Sequence, residues 1–286
     1  MAYSYDAGST TPTYAGLCEF NGKRINDGTF KSTTLPMLTD GPPRRDAMSP
    51  LPSDDGGISG DPFLDAWAFQ IEGWLRTLNP DDVWAAISDL RSAFTVGAGY
   101  QQLKFKARGW AQARYLTARV TATPSITEPD LHLKKVPRRD FLISMEASDP
   151  RSYNADVLTS VSINRGSSAN ITNAGNYPTP IVAVFVGPLT NPQLDGPGAS
   201  GRNRIRLKNS DGTDFVIAPG DSVTVNLNPS SATGVTILDN SGANQYPAAA
   251  ALTASTIGPG TESWALTGDS GGGHVTVQIR DAWYGN

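Results

Sequence analysis

Short apolar segments separated by turn-forming residues make up most of the hydrophobic pattern of this chain. Glycine, proline, asparagine, aspartate and serine bound these segments, which is typical of an all-β protein. In 157–163 and 274–284 apolar side chains recur at every second position, so each segment is predicted to be a strand with one buried face. Pro180 to Val186 is almost entirely apolar and predicts a central strand buried on both faces.

Two further patterns predict how strands begin and end. Phe215–Ile217 and Val223–Leu227 flank the turn sequence Pro219-Gly220-Asp221, which together predict a hairpin. The strand 140–150 closes with Asp149-Pro150, a turn signal, and a second run of strands starts near Val157. We therefore expect two domains, 1–152 and 153–286.

One segment has the period of a helix. Asn79 is a suitable N-cap, Pro80 suits the first helical position, and apolar side chains follow at helical spacing up to Phe94. Gly97 and Gly99 are suited to ending it. The sequence therefore predicts a single helix over 80–94.

The segment just before this helix, 63–78, fits two interpretations. Leu64, Trp67, Ile71, Trp74 and Leu78 have helical spacing. Trp67, Phe69 and Ile71 instead alternate as in a strand, and a bulge at Gly73 would explain the later change of phase. We favour the strand, because the neighbouring segments are β.

Residues 29–61 hold few large apolar side chains and many glycines and prolines. A loop of this length is unusual in a compact domain, and is usually functional or disordered. Two interpretations remain: an arm that becomes ordered against a neighbouring subunit, or plain disorder.

Composition and charge exclude several classes of protein. Charged residues make up 17% of the 286 residues and the formal net charge is −4, whereas nucleic-acid-binding domains are usually clearly basic. The single cysteine, Cys18, excludes an internal disulfide and is expected to be a small buried side chain. The first residues do not resemble a signal peptide, so we expect assembly in the cytoplasm.

Candidate catalytic and metal sites are sparse. Gly268-Asp269-Ser270-Gly271-Gly272 resembles the nucleophile motif of chymotrypsin-like proteases, but a serine nucleophile needs a histidine base and a carboxylate. His132 is the only upstream histidine, and we interpret the motif as a turn before the last strand. With two histidines and one cysteine we predict no catalytic residue, no metal site and no cofactor.

Two basic stretches each have a functional and a structural interpretation. In 202–208 four cations alternate with other residues, which suits either an anionic partner or a solvated edge strand, and we favour the edge strand. In 92–127 cations and aromatic residues interleave as on a nucleic-acid platform. They also interleave as in an antiparallel hairpin with one buried face, and the balanced charge favours this hairpin.

Several segments, taken in their order, resemble the distal tail protein family of long-tailed, non-contractile bacteriophages. The resemblance covers most of the chain and is stronger in the second half. The first half contributes the turn-rich stretch 50–57, the aromatic strand 67–78, the helix 80–94, and 141–150 followed by Tyr153. The second half contributes Ile171–Asn176, Pro178–Pro180, Ile181–Gly187, Asn191-Pro192, Ile217–Ser222 and Val275–Trp283.

This resemblance implies a fold and a role. The fold would be a tail-tube-like β domain with one α-helix, followed by a galectin-like β-sandwich. The role would be a structural, non-enzymatic hub in the virion: a ring, typically a hexamer, at the distal end of the tail. Its expected partners are other copies of itself, the tail tube protein, tail-tip and tail-associated proteins and the tape measure protein, while DNA passes through the lumen without being read.

One alternative function belongs to a different class. Galectin-like sandwiches often bind sugars, so the second domain could be a carbohydrate-binding module that contacts a host cell-wall glycan during adsorption. Trp264 or Trp283 could then stack against the sugar, although large aromatics at strand spacing are usually buried.

Overall fold

The structure is a computed structural model that describes residues 17–26, 29–41, 44–45, 48–50, 57–59, 63–77, 82–107, 109–127, 138–197, 203–228, 235–252 and 256–285. Strands predominate, which confirms the predicted mainly-β fold class. The helices in the described residues are α1 (Pro36–Thr39), α2 (Asp82–Ala93) and a 3-10 turn (Tyr246–Ala248). Helix α2 confirms the predicted helix, whose start at 78–81 lies outside the described residues, while α1 was not predicted.

The strands are numbered in chain order. The first twelve are β1 (Leu17–Phe20), β2 (Lys23–Ile25), β3 (Phe30–Thr34), β4 (Arg44–Arg45), β5 (Met48–Pro50), β6 (Gly57–Ser59), β7 (Phe63–Leu64), β8 (Trp67–Arg76), β9 (Gln101–Lys106), β10 (Arg114–Val120), β11 (Ser125–Ile126) and β12 (Arg138–Asn154). The others are β13 (Thr159–Asn164), β14 (Ser168–Asn173), β15 (Thr179–Pro180), β16 (Val182–Val186), β17 (Leu189–Thr190), β18 (Gln193–Asp195), β19 (Arg204–Leu207), β20 (Val216–Ile217), β21 (Ser222–Asn226), β22 (Thr236–Asp239), β23 (Ala249–Leu252), β24 (Thr256–Ile257), β25 (Gly260–Thr267), β26 (His274–Ile279) and β27 (Ala282–Trp283).

Contacts divide the chain into two compact units. The N-terminal unit comprises Met1–Leu38 and Ala68–Glu146, and the C-terminal unit comprises Thr39–Trp67 and Ala147–Asn286. Strand β12 supplies residues to both. The domain limits 1–152 and 153–286 stay a prediction. No helix in the described part of the chain is long and apolar enough to cross a membrane.

The N-terminal unit contains one sheet with the strand order β2-β1-β9-β10-β12-β8-β3. Helix α2 buries Val83, Ile87 and Leu90, and the next residue after it, Phe94, stacks on Phe20 with ring centroids 5.0 Å apart. The antiparallel pairing of β9 with β10 confirms the hairpin predicted within 92–127.

Strand β8 confirms the strand interpretation of 63–78, but not the bulge. Buried and exposed positions alternate along β8 without a change of phase. The irregularity lies instead in β3, between Ser32 and Thr34. Gly73 is needed for another reason: a Cβ at this position would collide with the Lys31 carbonyl and the Phe141 ring.

The C-terminal unit is a sandwich of two five-stranded antiparallel sheets, ordered β13-β26-β16-β21-β22 and β14-β25-β18-β19-β23. Their inner faces share one apolar core that includes Phe185, Leu194 and Trp264. Val275, Val277 and Ile279 point into this core, as the alternation in 274–284 predicts.

Three predictions for this unit were wrong in detail. Strand β16 is central but buried on one face only, since Val182, Val184 and Val186 are half-buried. The turn at 218–221 forms, yet β20 pairs with β17 and β21 pairs with β16 and β22, so no hairpin results. Strand β12 continues through Asp149-Pro150 to Asn154.

Candidate functional site

Within 44–64, which we name the ribbon, the described residues form two antiparallel strand pairs. Arg44 pairs with Leu64 in β4–β7, and Met48 pairs with Ser59 in β5–β6, so the two pairings are nested. The tip, 51–56, lies outside the described residues. The prediction of one loop over 29–61 was wrong for 30–38, because Phe30 pairs with Leu75 in the N-terminal sheet and Met37 is buried.

The asparagine motif at 171–176 holds the C-terminal strand in place. The Asn173 side chain is fully buried, donating to the carbonyls of Tyr177 and Ile257 and accepting from the N–H groups of Gly175 and Ala282. Gly175 approaches Ala282 so closely that a Cβ would collide with the Ala282 carbonyl. This motif therefore has a structural role.

Asn191 of the Asn191-Pro192 motif is a second buried amide. Its Oδ1 accepts from the Phe215 N–H at 2.9 Å, and its Nδ2 donates to Asp214 at 2.7 Å and Asp269 at 2.6 Å. It adopts a positive φ of 46°, which asparagine tolerates better than most residues. Asn191 thereby connects three loops that are far apart in sequence.

A buried ion pair between Asp149 and Arg151 lies where the sequence predicted a turn at Asp149-Pro150. Asp149 accepts from Arg151 Nε at 2.8 Å, from Arg151 Nη2 at 3.0 Å and from the Tyr153 hydroxyl at 2.6 Å. Burial alone would lower the pKa of Arg151, but its hydrogen bonds and charge interaction with Asp149 raise that pKa above its ordinary value. The carboxylate stabilises the strand at the point where a turn was predicted.

The protease-like motif lacks catalytic geometry in the described residues. The Ser270 hydroxyl donates to the Thr190 hydroxyl at 2.9 Å, and the backbone of 269–270 hydrogen-bonds to Thr190. His132 lies outside the described residues. Among the residues that the structure describes, no group of three metal-ligating side chains occurs. The motif therefore forms a turn that packs against Thr190.

The other predicted residues also find structural explanations. Cys18 is fully buried, and this burial raises the pKa of its thiol to about 12, so the residue acts as a small apolar side chain. Arg204 pairs with Asp195 at 2.6 Å, but β19 is an interior strand rather than the edge strand favoured from the sequence, and Arg202 lies outside the described residues.

Aromatic residues in the two predicted binding surfaces have structural roles, and the burial of Trp264 is the outcome favoured from the sequence. Trp264 is fully buried, so it is unable to stack against a sugar, while Trp283 is half-buried in β27. In the basic stretch 92–127, the Arg114 guanidinium lies 3.8 Å from the Trp110 ring centroid, and burial lowers the pKa of Arg114 to about 10. Arg108 lies outside the described residues.

Comparisons with known proteins identify the fold. No protein family and no curated protein matches the sequence. The structure resembles that of the SPP1 Dit (gp 19.1) protein, described as a paradigm of the hub adsorption apparatus in Gram-positive infecting phages, with a TM-score of 0.61 and 11% identity over 94% of this chain and 99% of that chain. The phage P2 baseplate in its activated conformation with Ca gives a TM-score of 0.49 at 11% identity over 93% of this chain and 98% of that chain. This chain therefore has the fold of a phage tail hub protein.

Proposed function

We propose that this protein is the distal tail hub of a long-tailed, non-contractile phage. Its copies form a ring, typically a hexamer, that joins the tail tube to the tail-tip proteins. The observation that carries the proposal is the similarity to the SPP1 Dit protein, which extends over 94% of this chain and 99% of that one. A match over both units supports a common role better than a match to one domain would.

The ribbon 44–64 supports ring formation. A head-to-tail interface repeated around a closed rotation requires each subunit to present one surface and accept another. A paired, two-stranded segment can contact a neighbouring copy as a preformed element. Assembly is the mechanism under this proposal: the ring contacts the tube, tail-associated proteins and the tape measure protein, and its lumen continues the DNA channel.

Mass measurement of the purified chain tests the proposal directly. We expect light scattering and negative-stain images to show a closed ring, either alone or after addition of the tail tube protein. A chain that stays monomeric in both conditions would contradict the proposal.

A ribbon deletion sharpens this test. Replacing 46–62 by Asn-Gly joins Arg45 to Phe63, which already pair across β4 and β7, through a turn suited to hairpins. We expect an unchanged unfolding transition and loss of the ring. The matched control, Trp84→Ala on the exposed face of α2, should keep both the transition and the ring.

A further inference from the structure

Strand β13 is an open edge of the C-terminal sandwich. It lies at one end of the sheet β13-β26-β16-β21-β22, and its register against β26 is unbroken over its whole length. The Arg165 N–H donates to the Gly273 carbonyl, so the odd-numbered residues of β13 hydrogen-bond to β26. The N–H and C=O groups of Ser160 and Ser162 therefore point away from β26, where the described residues provide no pairing strand.

The opposite edge of the same sheet is covered. The loop 240–245 runs beside β22, where the Asp239 N–H donates to the Ala243 carbonyl. The Gln245 N–H likewise donates to the Ile237 carbonyl. Natural sheets protect their edges by such a cover, or by lysine, proline or a bulge.

Strand β13 has none of these protections in the part of the chain that the structure describes. Its sequence, Thr-Ser-Val-Ser-Ile-Asn, contains no charge and no proline, and its pairing with β26 contains no bulge. Valine, isoleucine and threonine also favour strands. The edge can therefore receive a further strand.

Exposed apolar side chains adjoin this edge. Val157 and Leu158 directly precede β13 and are 42% and 47% exposed. A strand that paired with β13 and continued past its start would remove part of this apolar surface from water, which favours the pairing.

Charges at the two ends of β13 restrict the identity and direction of the added strand. Asp156 lies before β13 and Arg165 lies after it, and the segment between them contains no charged residue. The Arg165 guanidinium donates to the carbonyls of Gly268 and Gly271, which are neutral and leave its charge in place. A second copy of this segment, run antiparallel, brings Asp156 of each copy beside Arg165 of the other. A parallel copy would instead set like charges side by side.

We infer that β13 pairs antiparallel with β13 of a second copy of this chain, about a two-fold axis at Val161. In this register Ser160 of each copy lies opposite Ser162 of the other, and their outward backbone groups hydrogen-bond to each other. The two five-stranded sheets then form one continuous sheet.

This contact goes beyond the proposed ring. Neighbours in a cyclic ring of more than two copies meet through two different surfaces, whereas a two-fold contact joins the same surface of both copies. Pairing through β13 therefore joins free copies, or copies that belong to two rings.

Disulfide formation between identical cysteines in the full chain tests the contact. Val161→Cys places two thiols across the two-fold axis, at a non-hydrogen-bonded position where facing side chains lie closest. The control is Ser263→Cys on the outward face of β25, which is more exposed than Val161. We expect the two-chain disulfide to form about tenfold faster with Val161→Cys, because the pairing raises the local thiol concentration. An equal or slower rate would overturn the inference.

Ser162→Pro tests the backbone pairing. Proline removes one N–H that faces the open edge and leaves the hydrogen bonds to β26 intact. We expect sedimentation across a concentration series to show association of the wild type and of the control Ser162→Thr, and about tenfold weaker association of Ser162→Pro. Equal association of the two variants, or a wild type that does not associate through this edge, would overturn the inference.

A charge exchange tests the direction of the strands without altering β13 itself. Asp156→Arg alone and Arg165→Asp alone should each weaken the association several-fold at low salt, since each sets like charges side by side. The double variant should recover it. A double variant as weak as the single variants would overturn the antiparallel contact.

The contact and the hub function fail in distinguishable ways. Rings that form without the fast cross-link at position 161 would contradict only the contact between β13 strands. A fast cross-link in a chain that makes no ring with the tail tube protein would contradict only the hub function.

Discussion

The two units differ in how they satisfy their buried polar groups. In the C-terminal unit Asp149, Asn173 and Asn191 each make several hydrogen bonds, and those of Asn173 and Asn191 join distant segments. In the N-terminal unit Arg139 is buried, and among the described residues its Nη1 donates to the Arg138 carbonyl while its Nε has no hydrogen-bond partner. Unsatisfied buried groups are rare in native proteins, so Arg139 is an exception among the described residues, whereas the buried polar side chains of the C-terminal unit follow the general rule.

Removing the Asp149 carboxylate would leave a buried guanidinium of the C-terminal unit with an incomplete set of hydrogen bonds. Asp149→Ala leaves Arg151 buried without its bidentate partner, and we expect the free energy of unfolding to fall by about 3 kcal/mol. The matched control is Asp140→Ala, because its ion pair with Arg138 is exposed and worth less than about 1 kcal/mol. Urea denaturation of both variants measures the contrast, and equal losses would contradict it.

Removing the Asn173 amide should cause the next largest loss of stability. Asn173→Ala removes both donors and the acceptor of the clamp on β27, and leaves buried backbone groups unpaired, for a loss of about 2 kcal/mol. Asn170→Ala lies on the outward face of the same strand and should change stability by less than about 0.5 kcal/mol. A similar urea midpoint in the two variants would show that the buried amide is not the stabilising element.

The smallest expected effect on stability comes from Asp239, in an exposed polar loop of the C-terminal unit. This effect depends on pH. Asp239 accepts hydrogen bonds from Ser241, Ala243 and Gln245, which lower the pKa of its carboxyl to about 2. The ordinary pKa of an aspartate carboxyl is about 3.9. The contribution of Asp239 to stability is therefore complete above a pH of about 3.9 and is lost as the pH falls through about 2.

Comparing Asp239→Asn with the wild type across pH measures this contribution. The difference in urea midpoint should stay constant from neutral pH to about 5 and disappear near pH 2. Ser160→Ala, which changes an exposed side chain that does not titrate, is the control and should give a difference that is independent of pH. A difference that persists at the lowest pH would contradict the assignment to ionisation.

Local periodicity explains which elements were predictable. Strand β26, helix α2 and strand β8 each carry a repeating pattern of apolar positions that reports the buried face directly. The hairpin over 215–227 failed because a turn sequence determines where the chain reverses but not which strand lies beside it. The prediction of a turn at Asp149-Pro150 failed because the carboxylate pairs with Arg151 and Tyr153 of the same strand, which continues to Asn154.

The features of the candidate site also separate into those that the sequence indicated and those that it did not. Composition alone indicated a poor supply of catalytic and metal-binding groups, and an unusual stretch at 29–61 that suited an arm. It gave no sign that strands within 44–64 pair with each other, or that Arg139 faces inward. Each of these depends on contacts between segments that are far apart in the chain.

The amino-acid sequence by itself determined the mainly-β class and the position of α2, because strand and helix periods are local properties of a chain. Only the tertiary structure decided how the strands pair and which charged side chains are buried, Arg139 and Asp149 among them. The physical reason is that burial and hydrogen bonding of a side chain are set by neighbours from other strands. The order of the sequence segments already resembled the distal tail protein family, and the strand pairings supply the structural similarity to the SPP1 Dit protein.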